Sequence, residues 1–599
     1  MPAKDASKTQ QRQQDLARPQ TWRARQTALM HQWHARRASR AKLPTGFVSQ
    51  PEPRSIGLYA KGRQLIAGNF LFSGYLIEAP GESIWSIGAE APHVIDELQG
   101  CSWLDDLAAV GDAKARSRAQ AWVFEWIDLY GNGTGPGWTP DLTGRRLIRW
   151  INHGFLILRG KDREATDRFF LSLARQTLFL SRRWKTARPG LSRFEALTGM
   201  IYAGLSLEGM SGPVEQAIAA LEEDCRTQVD AQGGIPTRNP EELLDVFTLL
   251  TWAAQALSES DRHPPEALVS AISRIAPTLR SLRHTDGGLA RFHGGGRGIE
   301  GRLDHALAAS GIKTRPGEGL HMGYARLQAG RTNIIIDAAP PPKGEASYDA
   351  HASTLAFELT SGRRPVIVNC GSGRSFGAEW RRAGRATGSH SVLALDGYSS
   401  SRLGAPSRLD GLRGELLADT PTKVPVEFSQ LDDGTRLEVA QDGYRRTHGL
   451  THARIFDLIS DGRGLAGEEL LATLLDADQL RFDRAMDRAG LQGIAFSLRF
   501  HLHPEADPQV DLGGAAISLT LKSGEIWVFR HDGTAEMTLE PSVYLENGRL
   551  KPRATQQIVL SGRTMSYATR VRWSLTKAQD TPNVLRDLVE DGNADADQD

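Results

Sequence analysis

The spacing of apolar positions changes character part-way along the chain. From Ser117 to Tyr130, Trp122, Trp126 and Leu129 share one helical face; from Leu142 to Leu158, Leu147, Trp150, Ile151 and Phe155 do the same. The i, i+3, i+4, i+7 pattern recurs in Phe169–Trp184, Phe194–Leu207, Val214–Val229, Glu241–Leu257 and Pro265–Leu282, and predicts a series of amphipathic helices. Joints such as Pro189-Gly190, Gly212-Pro213 and His263-Pro264-Pro265 are short, so consecutive helices should be antiparallel neighbours. Periodicity does not choose between a bundle, a solenoid and a closed ring, and no fixed repeat marks a solenoid.

After about residue 320 the chain turns to short segments rich in β-branched and aromatic residues: Thr332–Asp337, Thr354–Leu359, Pro365–Cys370, Ser391–Leu395, Arg436–Gln441, Ala515–Leu521, Ile526–Arg530 and Thr569–Leu575. Polar turns such as Asp432-Asp433-Gly434 and Lys522-Ser523-Gly524 separate them. This predicts an antiparallel sandwich. The expected organisation is a basic arm over 1–45, a helical domain over 46–310 whose lead-in mixes strand and loop, a sandwich over 318–578, and an acidic tail over 580–599.

Composition adds limits. A chain of 599 residues is too long for one core, so two large domains are expected. Lys+Arg is 72 against Asp+Glu 71, which gives no global attraction to nucleic acid or membrane. Cys101, Cys225 and Cys370 are too few and too scattered for a disulfide framework or a Cys-based zinc site. No apolar run is long enough to span a membrane. Residues 1–42 carry ten Lys/Arg and two acids, but Arg36-Arg37 is followed by Lys42-Leu43-Pro44 rather than an apolar stretch, so no export signal is read there. The arm reads as a solvated, partly helical tail, with an electrostatic contact as the alternative. Gly294-Gly295-Gly296-Arg297-Gly298 lacks the Gly-Lys-Ser/Thr ending of a phosphate loop and is read as a loop near the domain junction.

The densest signal runs from Tyr348 to Gly397. It reads Tyr348-Asp349-Ala350-His351-Ala352-Ser353, Phe357-Glu358-Leu359, Val368-Asn369-Cys370-Gly371, Trp380-Arg381-Arg382, Arg385-Ala386-Thr387-Gly388-Ser389-His390-Ser391 and Asp396-Gly397. In order and spacing it resembles the heparinase II/III sandwich motif. Trp138-Thr139-Pro140 with Arg149-Trp150, Gly190 to Gly204, and Gly233-Gly234-Ile235-Pro236-Thr237-Arg238-Asn239-Pro240 extend the resemblance. It implies a multidomain α+β chain with an N-terminal (α/α) incomplete toroid followed by an antiparallel β-sandwich.

The resemblance implies a carbon–oxygen lyase that cleaves an acidic, uronate-containing polysaccharide by β-elimination. Such a site must neutralise the uronate, remove the C5 proton and protonate the leaving oxygen. Carried over by position, the family's Asn-His falls on Leu191-Ser192, its Tyr on Glu242, and the first His of its His-x-His on Asp349. Candidate catalytic residues are therefore Asp349, Arg385, Glu242 and Tyr348. Arg238, Asn239, Arg381 and Arg382 are candidate substrate contacts, since guanidinium grips carboxylate bidentately. Arg238 and Arg385 as loop or interface braces, and Glu242 as a helix-dipole acid, are the structural alternatives. The resemblance implies a zinc held by His351, Asn369 and His390; a hydrogen-bonded cluster is the other reading. His501 and His503 are read as structural. A non-catalytic carbohydrate-binding protein, or a glycoside hydrolase pairing Asp349 with Glu242 at about 5–10 Å, are the rival functions. Family members are usually periplasmic, which implies the cell envelope, whereas the missing signal leaves the cytoplasm open. No nucleic-acid partner is expected.

Overall fold

The computed structural model describes residues 22–38, 44, 46–48, 53–88, 92–409 and 412–579. The acidic tail and most of the basic arm lie outside the described residues. Of the arm, Trp22–Arg37 is a helix that packs on the Arg163–Arg183 helix and buries His31 and Ala35.

The predicted helices appear as Ala113–Tyr130, Pro140–Asn152 with Gly154–Leu158, Arg163–Arg183, Leu191–Ser206, Val214–Gln228, Pro240–Glu259 and Glu266–Ser281. Asp112 and Asp162 cap two of them through their carboxylates, satisfying backbone donors left free in the first turn. Gly144 and Gly199 let two helices touch: a Cβ on Gly199 would lie 2.5 Å from Gly144 Cα. The lead-in differs from its expectation. It is largely helical, with Tyr59–Ala67, Pro92–Gly100 and Trp103–Val110, plus one hairpin of Asn69–Phe72 and Tyr75–Glu78. Short helices give too few turns for a periodic signal. Trp85, Trp103, Trp122, Trp126, Trp138 and Trp150 form the buried centre of this half. Arg146 lies 4.0 Å from the Trp126 ring centroid and donates to Gln176 and to the Gln99 and Gly137 carbonyls.

The second half is two large antiparallel sheets and a separate hairpin of Arg402–Leu409 and Leu412–Ala418. One is ordered Val426–Leu431, Gly434–Gln441, Thr451–Ile459, Gly464–Ala472, Ala568–Gln579, Ile526–His531, Ala516–Leu521, Ala506–Asp511. The other runs Glu536–Tyr544, Arg553–Thr564, Ile494–Leu502, Arg364–Val368, Phe357–Ser361, Thr332–Asp337, Tyr324–Ala329, with Leu393–Leu395 also on Ile494–Leu502. Phe357 and Phe500 of one sheet meet Phe456, Phe529 and Trp573 of the other at centroid distances of 4.8 to 6.0 Å. The helical toroid followed by an antiparallel sandwich is thus the architecture.

Arginines join the halves. Arg238, on the loop before the Pro240–Glu259 helix, donates to the carbonyls of Met322, Gly323, Ala339 and Pro340 and to Asp337 at 2.6 Å. Arg291 donates to Asn369, Cys370 and Leu545 carbonyls and stacks 4.1 Å from the Tyr544 centroid. His284 meets Glu358 at 3.1 Å.

Candidate active site

The segment from Tyr348 to Ala356 is a loop, not the strand expected from Thr354 onward; the strand begins at Phe357. Arg385 shapes this loop. It is 2% exposed and donates to the carbonyls of Ala350 at 2.8 Å, Glu415 at 2.8 Å and Ser347 at 2.9 Å. Burial pushes it down to about 10. A uronate-neutralising role for Arg385 is corrected accordingly: it braces the loop from inside.

Arg238 and Asn239 are corrected in the same way. Arg238 is the interdomain clamp described above, held at φ 51°. Asn239 caps the Pro240–Glu259 helix, its Oδ1 accepting from the backbone of Glu241 and Glu242. Arg382 pairs with Glu415 at 2.7 Å on an exposed edge. Tyr348 is half-buried, with the Arg381 guanidinium 4.5 Å from its ring centroid.

What the structure does bring together is Glu242, Asp349, Arg374 and Arg381. Asp349 sits beside the glycine loop: a Cβ on Gly294 would lie 3.0 Å from Asp349 Cβ. The loop's other side meets the helix start, where Gly296 N donates to Glu241 at 2.7 Å. Arg381 donates to Asp349 at 3.0 Å and to the Tyr348 carbonyl at 2.6 Å, and Arg374 approaches Asp349 at 3.5 Å. Sequence reading missed Arg374, an exposed arginine in a short turn with no motif around it.

The two carboxylates diverge. Burial alone would raise Asp349, but Arg374 and Arg381 outweigh it and hold the group below its usual range. Any proton-donating role that needs Asp349 raised is thus corrected. Glu242 is pushed up to about 7 by burial, with Asp245 and Asp349 adding to the rise against a hydrogen bond with Thr237. Glu195, paired with Arg145, is pushed to about 7 by burial. At Leu191, half-buried at the start of its helix, no group can bind a carboxylate.

His351, Asn369 and His390 do converge. His390 Nδ1 lies 2.8 Å from the Ala386 carbonyl and must carry its proton there. Its bare Nε2 then accepts from His351 Nδ1 at 3.0 Å. Asn369 Oδ1 accepts from Ser391 N at 2.9 Å. Burial lowers both imidazoles, His390 to about 4. As a zinc site the set lacks an anionic third donor, and His351 would have to move its Nδ1 proton. Among the described residues no group of three His, Cys, Asp or Glu is placed to hold a metal. The donor set does not fit zinc, and no step is routed through one. His501 bonds Ser542 and the Gly388 carbonyl, and His503 packs on Tyr544.

The sequence model described as Heparinase II/III-like, C-terminal, matches residues 312–574. FtsZ-localized protein C of Caulobacter vibrioides is 30% identical over 554 residues, covering 90% of this chain and 91% of that protein. The chain belongs to one family with FtsZ-localized protein C, and its residues 312–574 are a heparinase II/III-like C-terminal domain. Solved structures of the same fold include heparinase III, with TM-score 0.63, 12% identity and coverage of 90% of this chain and 88% of that one. Heparan sulfate lyase HepC from Pedobacter heparinus follows at TM-score 0.55 and 15% identity, covering 93% and 89%.

Proposed function

We propose that this family member binds an acidic polysaccharide of the cell envelope between toroid and sandwich and cleaves it by β-elimination with a rebuilt set of groups. The observation that carries this reading is the set of charges gathered about Asp349: Arg374 and Arg381 contact its carboxylate, and its charge reaches Glu242. Glu242 titrates near neutrality, where a carboxyl serves best as a proton-transfer group. Across the Gly294–Gly296 loop, Arg374, 52% exposed, and Arg381 supply guanidinium groups. In this reading Arg374 turns from its long contact with Asp349 to the uronate carboxylate, taking the task that Leu191 cannot perform. Glu242 in its ionised form accepts the C5 proton and hands it on to the leaving glycosidic oxygen, so that the C4–O bond breaks as the C4–C5 double bond forms, while Asp349 keeps Arg381 in place. The experiment is a panel of uronate polysaccharides followed by the ultraviolet absorbance of the unsaturated product. Turnover should rise as pH passes through about 7, the value of Glu242, and Glu242→Gln should lower it at least about 100-fold. A flat trace on every substrate sinks the reading; new reducing ends without the chromophore would point instead to hydrolysis by Glu242 and Asp349.

A second reading, a non-catalytic scaffold held at an anionic surface, has its own observation. The Trp22–Arg37 helix leaves Trp22 75%, Leu29 65% and Trp33 49% exposed. It carries Arg23, Arg25, Arg36 and Arg37 and no acid. An apolar face with Trp among arginines suits the headgroup layer of a membrane. The Caulobacter relative is named for its localization with FtsZ, which fits a positioning role. Vesicle binding with a flat lyase trace would select this reading.

A further inference from the structure

A groove of about 650 Å³ lies at the toroid–sandwich junction; His284 is in its lining, and Glu242, Asp349, Arg374 and Arg381 are not. Three elements build it: the end of the Glu266–Ser281 helix with Arg280 and Arg283, the connector from Gly311 to Lys313, and Arg326 on the first sandwich strand. Leu307, Ala308 and Ile312 form an apolar wall. The volume is that of a small-molecule site.

Its charge is not balanced. Arg283 is neutralised by Asp304, at 2.7 Å. Arg280 donates to the carbonyls of Ile312 and Thr314. Arg326 donates to the carbonyls of Arg280, Ser281 and Arg283 and to Gln328. These acceptors are neutral, so both guanidinium charges remain. Lys313 is exposed on the connector. Among the described residues no carboxylate forms an ion pair with Arg280, Arg326 or Lys313. Arg145, Arg302 and Arg381, by contrast, are each paired with a carboxylate. Four cations against one acid in a concave, partly apolar wall create a field that an anion would satisfy.

We propose that this junction groove is a binding site for a small ligand carrying a tetrahedral oxyanion, phosphate or sulfate, on a body the size of a sugar. Its cations come from the toroid, the connector and the sandwich, so the bound anion ties the two domains together. Lys313 and Arg280 face the ligand, whereas Arg326 also holds the helix end and is left intact in the test. Titration calorimetry on the full chain at low salt uses glucose 6-phosphate, glucose 6-sulfate and neutral glucose. Saturable binding of at least one anion is expected, with glucose silent and affinity falling as salt rises. Preference between the two anions identifies the group. Lys313→Glu, an exposed change that leaves the fold intact, weakens binding at least about tenfold, and Arg280→Gln does so independently, each with an unliganded unfolding temperature close to that of the parent. Absence of saturable binding by either anion, or equal binding to parent and both variants, overturns the site.

Discussion

Glu242 and Asp349 carry the same functional group and end with opposite proton affinities because of what faces them. Asp349 has Arg381 at 3.0 Å, while Glu242 has Asp245 and Asp349 as charged neighbours. This has a consequence for stability. Raised from 4.5 to about 7, Glu242 keeps a proton in the folded state that the unfolded chain has already released. Stability therefore falls as pH rises from about 4.5 to about 7 and levels off above that window. Glu242→Gln should flatten this slope and raise the unfolding midpoint on the alkaline side, read by thermal denaturation at several pH values; an unchanged slope would place Glu242 in an ordinary solvated setting. The imidazole pair gives a second expectation. Removing His390 leaves the His351 Nδ1 proton without its acceptor, and a buried unsatisfied donor costs about 1–3 kcal/mol. His390→Ala should be destabilised by that order in urea. Chelator treatment of the parent should leave its unfolding midpoint unchanged. One zinc per chain by elemental analysis, lost in His390→Ala, would reinstate the metal site.

At the scale of elements, the joint between toroid and sandwich depends on a few arginines rather than on a continuous apolar seam alone. Arg238 spends its guanidinium on four carbonyls and on Asp337, which is fully buried. Removing it strands that carboxylate, and breaking a buried pair costs about 3–5 kcal/mol. Arg238→Ala should lower unfolding free energy by that amount, and Arg238→Lys should rescue little, because a point charge cannot reproduce the planar fork. If the alanine variant is as stable as the parent, the clamp is dispensable. The same residue shows what sequence could and could not convey. The Arg238-Asn239-Pro240 stretch announced a helix start, and Asn239 is its cap. Whether the arginine faced ligand or interface depended on strands more than 80 residues away in the chain, which no local pattern records. Long helices such as Arg163–Arg183 were legible because an amphipathic period repeats over 21 residues. The lead-in helices of eight or nine residues were not. Of the candidate site, His351 and His390 were read as neighbours and lie 3.0 Å apart; Arg385, read as catalytic with a loop brace as the alternative, is that brace, because its carbonyl partners lie 30 to 38 residues away in the chain.

For the whole molecule, the question is which surface does the work. No helix among the described residues is long and apolar enough to cross a membrane. The Trp22–Arg37 helix is fixed to the toroid through His31 and Ala35 and through Arg183, which donates to His31 at 3.0 Å. Its outer stripe is therefore held in place rather than left to collapse on the body. Burying two Trp and one Leu side chain contributes roughly 1.5–3 kcal/mol each at most, with an added attraction of about 1 kcal/mol per arginine close to an anionic surface. That is enough for reversible binding. Co-sedimentation with vesicles containing anionic lipid should recover the full chain, neutral vesicles should recover less, and added salt should release it. Replacing Trp22, Leu29 and Trp33 together by Ser should abolish recovery without lowering the unfolding midpoint, since these side chains face solvent. Equal recovery on neutral and anionic vesicles would mean the arginines play no part. Recovery of the triple variant at the parent's level would mean that this helix is not the contact, and would leave the cleft as the surface through which the protein acts.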